Sequence, residues 1–268
     1  MKLIRLLNPL KKLIQRSFKK TNLISIDTTH TENLPWQSQF GGMPYLGLDM
    51  QYPKGSSGQL LPLLAQINFA EIFPLYNFPR EGILQIFTNF DPHLGLNTKK
   101  PLQQDNWRIV WIPKVIEHQQ FLHPSLPNFR KILNQQVDRS QAPFLNNFLT
   151  PKRLKFKLFA EDLPCFEDDM FLDFQNLLNN KISFKNQIRG VTEYCKLTQT
   201  KNHKIGGYPH FWDADNRPRE FGKASLLLQI KTDIKNKIFL EDENMLNFFI
   251  KPKDLQKRDF SNVLFLSP

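Results

Sequence analysis

Cysteine is nearly absent: Cys165 and Cys195 are the whole supply in 268 residues. That excludes a disulfide framework, and a reducing, cytoplasmic setting is expected. No apolar run approaches the ~18 residues that a membrane-crossing helix needs. The first twenty residues hold no acid, no unbroken apolar stretch and no small-residue cleavage site, so no signal peptide is expected. Catalytic signatures are missing as well. There is no Gly-x-Ser-x-Gly elbow, no phosphate loop, no dinucleotide fingerprint and no His-Glu-x-x-His helix. The histidines His30, His93, His118, His123, His203 and His210 show no ligand spacing, and the acids at 161–169 lack a calcium-loop pattern. No metal and no cofactor is therefore expected.

Basic charge is plentiful but unevenly placed. The net charge is +11, and residues 1–20 account for +7 of it through Lys2, Arg5, Lys11, Lys12, Arg16, Lys19 and Lys20. A nucleic-acid-binding body concentrates its charge on the body, so nucleic acid is not an expected partner. In the same leader Leu3, Leu6, Leu7, Leu10, Leu13, Ile14 and Phe18 recur at helical spacing, interrupted by Pro9. It reads as a basic amphipathic helix or tail, separate from a domain over 21–268. Docking on that domain is the favoured reading, with a membrane surface or a frayed tail as the alternatives. Phenylalanine, at 24 residues against 4 Trp and 5 Tyr, implies a Phe-packed core.

What is present twice is more informative. Phe40-Gly41-Gly42-Met43-Pro44-Tyr45-Leu46 is followed by Leu63-Leu64-Ala65-Gln66-Ile67 and then Leu84-Gln85-Ile86-Phe87. Downstream, Ile205-Gly206-Gly207-Tyr208-Pro209-His210-Phe211 is followed by Leu226-Leu227-Leu228-Gln229-Ile230 and then Leu246-Asn247-Phe248-Phe249. Gln66 lies 24 positions after Gly42, and Gln229 lies 22 after Gly207. Two copies of one unit explain this order, a first over about 34–115 and a second over about 200–268. Paired glycines before a proline make a sharp turn. An amide inside an apolar strand needs partners, and loop backbone is the nearest supply. Gln66 and Gln229 are thus expected to brace their own Gly-Gly turns, with Gln85 and Asn247 as the matching amides on the next strand. An anion-binding backbone nest at either turn stays open.

These stretches, with Trp36 to Phe40, Tyr52-Pro53, His203-Lys204, Asp215-Asn216-Arg217 and Asp259 to Val263, resemble the YwqG-like family of bacterial proteins, a domain of unknown function. The resemblance runs from about Leu34 onward and departs at Gly47, Asp213, Asn216 and around Leu240-Glu241-Asp242. It implies one α+β domain, mostly antiparallel β, with an internal duplication and few helices. It also implies a binding or interaction protein that neutralises or regulates a protein partner, as in toxin-immunity systems.

One polar constellation competes with that reading. His203, Asp213, Asp215 and Arg217 fall within fifteen residues around the second turn, and such a set supports acid–base chemistry or an anion clamp in a hydrolase-like enzyme. The plainer reading pairs Asp215 with Arg217 across a surface turn and leaves His203 to brace the loop. Elsewhere, strands are expected at Leu23–Ile26, Gly82–Phe87 and Trp107–Ile112, and around Leu154, Phe156 and Leu158. Residues 117–151 read as irregular. Residues 167–182 read as a helix with Met170, Phe171, Phe174, Leu177, Leu178 and Ile182 facing inward.

Overall fold

The structure, a computed structural model, describes residues 5–29, 33–89, 91–136, 149–165, 167–172, 175–176, 180, 184–198, 201–212, 214–238, 240 and 245–267. Ten strands form one antiparallel sheet: β1 (Lys19–Ile26), β2 (Gln39–Phe40), β3 (Leu63–Asn68), β4 (Ile83–Thr88), β5 (Trp107–Ile112), β6 (Lys152–Asp162), β7 (Lys204–Gly206), β8 (Ser225–Lys231), β9 (Met245–Ile250) and β10 (Leu264–Leu266). Their order is β10-β9-β8-β7-β1-β6-β2-β3-β4-β5. The described residues add four α-helices: α1 (Lys11–Arg16), α2 (Leu126–Gln136), α3 (Phe184–Cys195) and α4 (Pro252–Lys257).

The sheet curls into a half-barrel, and the aromatic contacts show why. β5 and β10 are its opposite edges, yet Trp107 on β5 meets Phe265 on β10 edge-on at 5.4 Å. Phe265 in turn stacks on Phe248 at 4.5 Å. Only a curled sheet brings both edges to one core, and that core includes Ile67, Leu84, Trp107, Leu228, Phe248 and Phe265. β3, β4 and β9 are buried at every position, so both faces are covered. Alternation still sorts their side chains. Ala65, Ile67, Leu84 and Ile86 enter the main core, whereas Gln66 and Gln85 reach the turn segment behind the sheet.

The leader is part of this body. A 3-10 segment, Arg5–Leu10, runs into α1, and Leu7, Leu10 and Ile14 are buried against Leu163, Phe171 and Tyr194. The strand read as Leu23–Ile26 begins four residues earlier, because β1 lies at the sheet's centre, between β6 and β7.

One segment departs from the sequence reading, and a second is described only in part. Residues 126–136 form α2 within the stretch read as irregular. Pro127 sits in its first turn, where a missing N–H is tolerated, and Leu126, Phe129 and Leu133 put an apolar stripe on the cluster around Tyr52. The stripe is short and set among amides, which hid it. Of the helix read over 167–182, the structure describes a 3-10 turn at Asp169–Phe171 and, beyond it, helical residues at Leu172, Gln175, Asn176 and Asn180, with Phe171 buried as expected. Phe174, Leu177, Leu178 and Ile182 lie outside the described residues, as does the side chain of Met170. The helix α3 follows at Phe184–Cys195.

Candidate functional site

Both Gly-Gly pairs are left-handed, with φ of 65° and 73° at Gly41 and Gly42 and of 72° and 73° at Gly206 and Gly207. A Cβ on Gly42 would lie 2.7 Å from the Cβ of Pro151, and one on Gly207 would strike the Asp162 carboxylate. Glycine is required at both for space as well as for φ. Directly after Pro44, the Tyr45 N–H donates to Gln66 Oε1 at 2.8 Å, and the Gln85 amide donates to the Tyr45 carbonyl at 2.6 Å. Directly after Pro209, the His210 N–H donates to Gln229 Oε1 at 2.9 Å, and the Asn247 amide donates to the His210 carbonyl at 3.0 Å. The other ends of the glutamines hold the incoming chain. Gln66 Nε2 donates to Pro35 and Gln37 carbonyls, and Gln229 Nε2 to that of Asn202. Each turn is thus fixed on both sides by strand amides.

Of the candidate constellation, Asp215 and Arg217 pair directly, and His203 has partners of its own. Asp213 lies outside the described residues. His203 packs on the Phe40 ring, accepts the Lys231 N–H at Nδ1 (3.1 Å) and has Nε2 3.6 Å from Asp233. Burial pulls its pKa down to about 4, against the nearby Asp233 carboxylate. Arg217 has different partners, Asp215 and Asp168, the latter at 3.2 Å. The segment reads as surface, but the Arg217 side chain is only 3% exposed. Its guanidinium lies over the rings of Phe211 and Phe249, and the two carboxylates neutralise it. Burial opposes its charge, but Asp215 and Asp168 outweigh it and hold its pKa above the ordinary value.

A second buried pair adjoins the second turn, and spacing gave no sign of it. Lys204 and Asp162 are fully buried and 2.8 Å apart, and the same Asp162 oxygen accepts the Tyr208 N–H. Burial draws the Lys204 ammonium below its usual range, and Asp162 resists. Lys19 stands 4.0 Å over the Tyr208 ring and feels both Asp168 and Asp162. Three cations and three aspartates thereby compensate one another. Such a network orders the turn and has little charge to spare for a ligand.

Several clefts open among the described residues, and three of them carry chemically suggestive linings. One, of about 650 Å³, has Tyr52, Val110 and Phe129 in its wall with Lys54, Arg108 and His123, and none of its lining residues is acidic. His123 accepts the Ser125 N–H at Nδ1 and packs on Phe129, which leaves Nε2 for another partner. The Tyr52 hydroxyl is buried with no hydrogen-bond partner, against the general rule for buried polar groups. A second cleft, of about 330 Å³, lies beside Gly206-Gly207, with Lys19, Lys20, Lys223 and a Tyr76 that is 91% exposed. The third, of about 320 Å³, brings together Cys165, Glu167, Cys195 and His210. Sequence reasoning missed it because 45 positions separate Cys165 from His210. Burial pushes the Cys165 thiol up to about 12.

A curled antiparallel sheet with buried amides gripping glycine turns is a rigid scaffold with clefts on its surface. The chain belongs to the family described as Domain of unknown function (DUF1963), whose model matches residues 38–267. The match begins after β1, the strand at the centre of the sheet. No curated protein matches the chain. Among the described residues, no helix is long and apolar enough to cross a membrane.

Proposed function

We propose that this protein is a binding domain, and that the cleft at Tyr52, Arg108 and His123 holds a small molecule with an apolar body and an anionic group. The observation that carries this is the pairing of an apolar wall with Lys54 and Arg108 where no lining residue is acidic. Its volume of about 650 Å³ falls in the range of small-molecule sites. The hydrolase-like alternative draws no support from His203 and Arg217, which have separate partners. The test is calorimetric titration with phenyl phosphate, phenylacetate and octanoate, with benzylamine as the cationic control. Binding of at least one anion, weakened by Arg108→Ala and by Phe129→Ala, is the expected result. Equal binding of benzylamine, or no anion binding at millimolar concentration, would sink the reading.

A protein partner is the second reading, and Tyr76 favours it. That exposed ring stands beside Lys20 and Lys223, and Phe73 nearby in sequence is also exposed. An aromatic anchor among lysines suits an acidic segment of a partner, such as one this protein neutralises or regulates. The membrane reading has less to draw on, since Leu7, Leu10 and Ile14 of the leader face inward. A cytoplasmic residence is supported by the two free cysteines.

The finer YwqG-like label, and the duplication that goes with it, form part of the same proposal. In its support, Gln66 pairs with Gln39 and Gln85, and Gln229 pairs with Lys204 and Asn247. A register shift also falls just before each glutamine, between Leu63 and Ala65 and between Leu226 and Leu228.

A further inference from the structure

We propose that Cys165, Glu167 and His210 form a binding site for a transition-metal dication of the zinc class. The Cys165 sulfur, a Glu167 carboxylate oxygen and a His210 ring nitrogen all lie within 4.8 Å of one another. Around a tetrahedral zinc, with bonds of about 2.0–2.3 Å, such atoms stand about 3.5 Å apart. Closing the set therefore needs movements of about an ångström. Cys165 and His210 are buried and Glu167 is half-buried.

The surroundings hold these residues in place. His210 has its N–H on Gln229 and its carbonyl on the Asn247 amide, and Trp212 packs edge-on to its ring at 4.8 Å. Cys165 follows Pro164, whose carbonyl accepts the Tyr194 hydroxyl at 3.0 Å. The cleft walls also include Cys195, so a second thiol stands near the three. Thiolate and imidazole donors suit zinc and its first-row neighbours and do not suit calcium or magnesium, which take oxygen. Three protein ligands leave a fourth position for water or substrate, and recruiting Cys195 would close the site into a structural one. Lys201 on the same rim lies 4.9 Å over the Trp212 ring. One thiolate and one carboxylate already balance a dication, so the Lys201 charge would offset the second thiolate if Cys195 joined the site.

The experiment uses the full chain, reduced and stripped with chelator, and titrates Co²⁺ and then Zn²⁺. One equivalent of Co²⁺ should give a sulfur-to-metal charge-transfer band in the near ultraviolet, and Zn²⁺ should abolish it. Glu167→Gln, at a half-buried position, should leave the melting curve unchanged. Its affinity loss should reach or exceed the about 10–100-fold typical of losing an outer-shell partner. Cys165→Ser should remove the charge-transfer band. If that band survives in Cys165→Ser but is lost in Cys195→Ser, the assigned thiol is wrong. Binding of Zn²⁺ that is undetectable in the native chain, or unchanged in Glu167→Gln and Cys165→Ser alike, would overturn the site.

Discussion

His203 shows how the surroundings decide what a titratable residue does. Its ring is nearly sealed, with Nδ1 taken up by the Lys231 N–H and the Phe40 ring against it. The folded state therefore keeps it neutral, with a pKa of about 4 against an ordinary 6.5. In the unfolded chain it takes up a proton first as pH falls, so its contribution to stability is complete above about 6.5 and lost on the way to about 4. Linkage sets the slope from this one group at no more than about 1.4 kcal/mol per pH unit. Denaturant melts between pH 4 and 7 should be flatter in His203→Phe than in the native chain. Equal slopes would mean that His203 is charged inside the fold. Gln66 makes the complementary case, a neutral amide with four hydrogen bonds, each partner costing ~1–3 kcal/mol if stranded.

Among the elements, β1 carries more than its place in the chain suggests. It is hydrogen-bonded to β6 on one side and to β7 on the other, and so joins the two flanks of the sheet. Yet it precedes the residues matched by the family model. Removal of residues 1–17 should leave a folded sheet with reduced stability, because Leu7, Leu10 and Ile14 each lose burial worth up to ~1.5–3 kcal/mol. Removal of residues 1–27 takes out the central strand, and that chain should not fold. Circular dichroism with urea titration separates the cases. A native-like melt after the longer deletion would show that β1 is dispensable. The amphipathic spacing of the leader was legible because a helix displays its apolar face in the sequence itself. The length of β1 was not, since its first residues, Lys19 and Lys20, are exposed lysines.

At the scale of the whole molecule, both flanks feed one core. Trp107 comes from one edge and Phe248 and Phe265 from the other flank, so neither flank keeps its apolar surface without its partner. Unfolding should follow as a single transition, with tryptophan fluorescence and far-ultraviolet dichroism coincident. Two separated transitions would mean that the flanks are independent domains.

Local pattern alone determined much of this protein. Strand runs such as Trp107–Ile112, the two glycine turns and the amides set behind them all follow from side-chain alternation and backbone freedom, which act over a few residues. Tertiary structure alone decided the rest. It paired Lys204 with Asp162 across 42 positions, turned Arg217 inward onto Asp168, and gathered Cys165, Glu167 and His210 beside one cleft. Those meetings depend on which strands become neighbours when the sheet closes on its core. That choice is made by summed burial over the entire chain, and no single stretch records it.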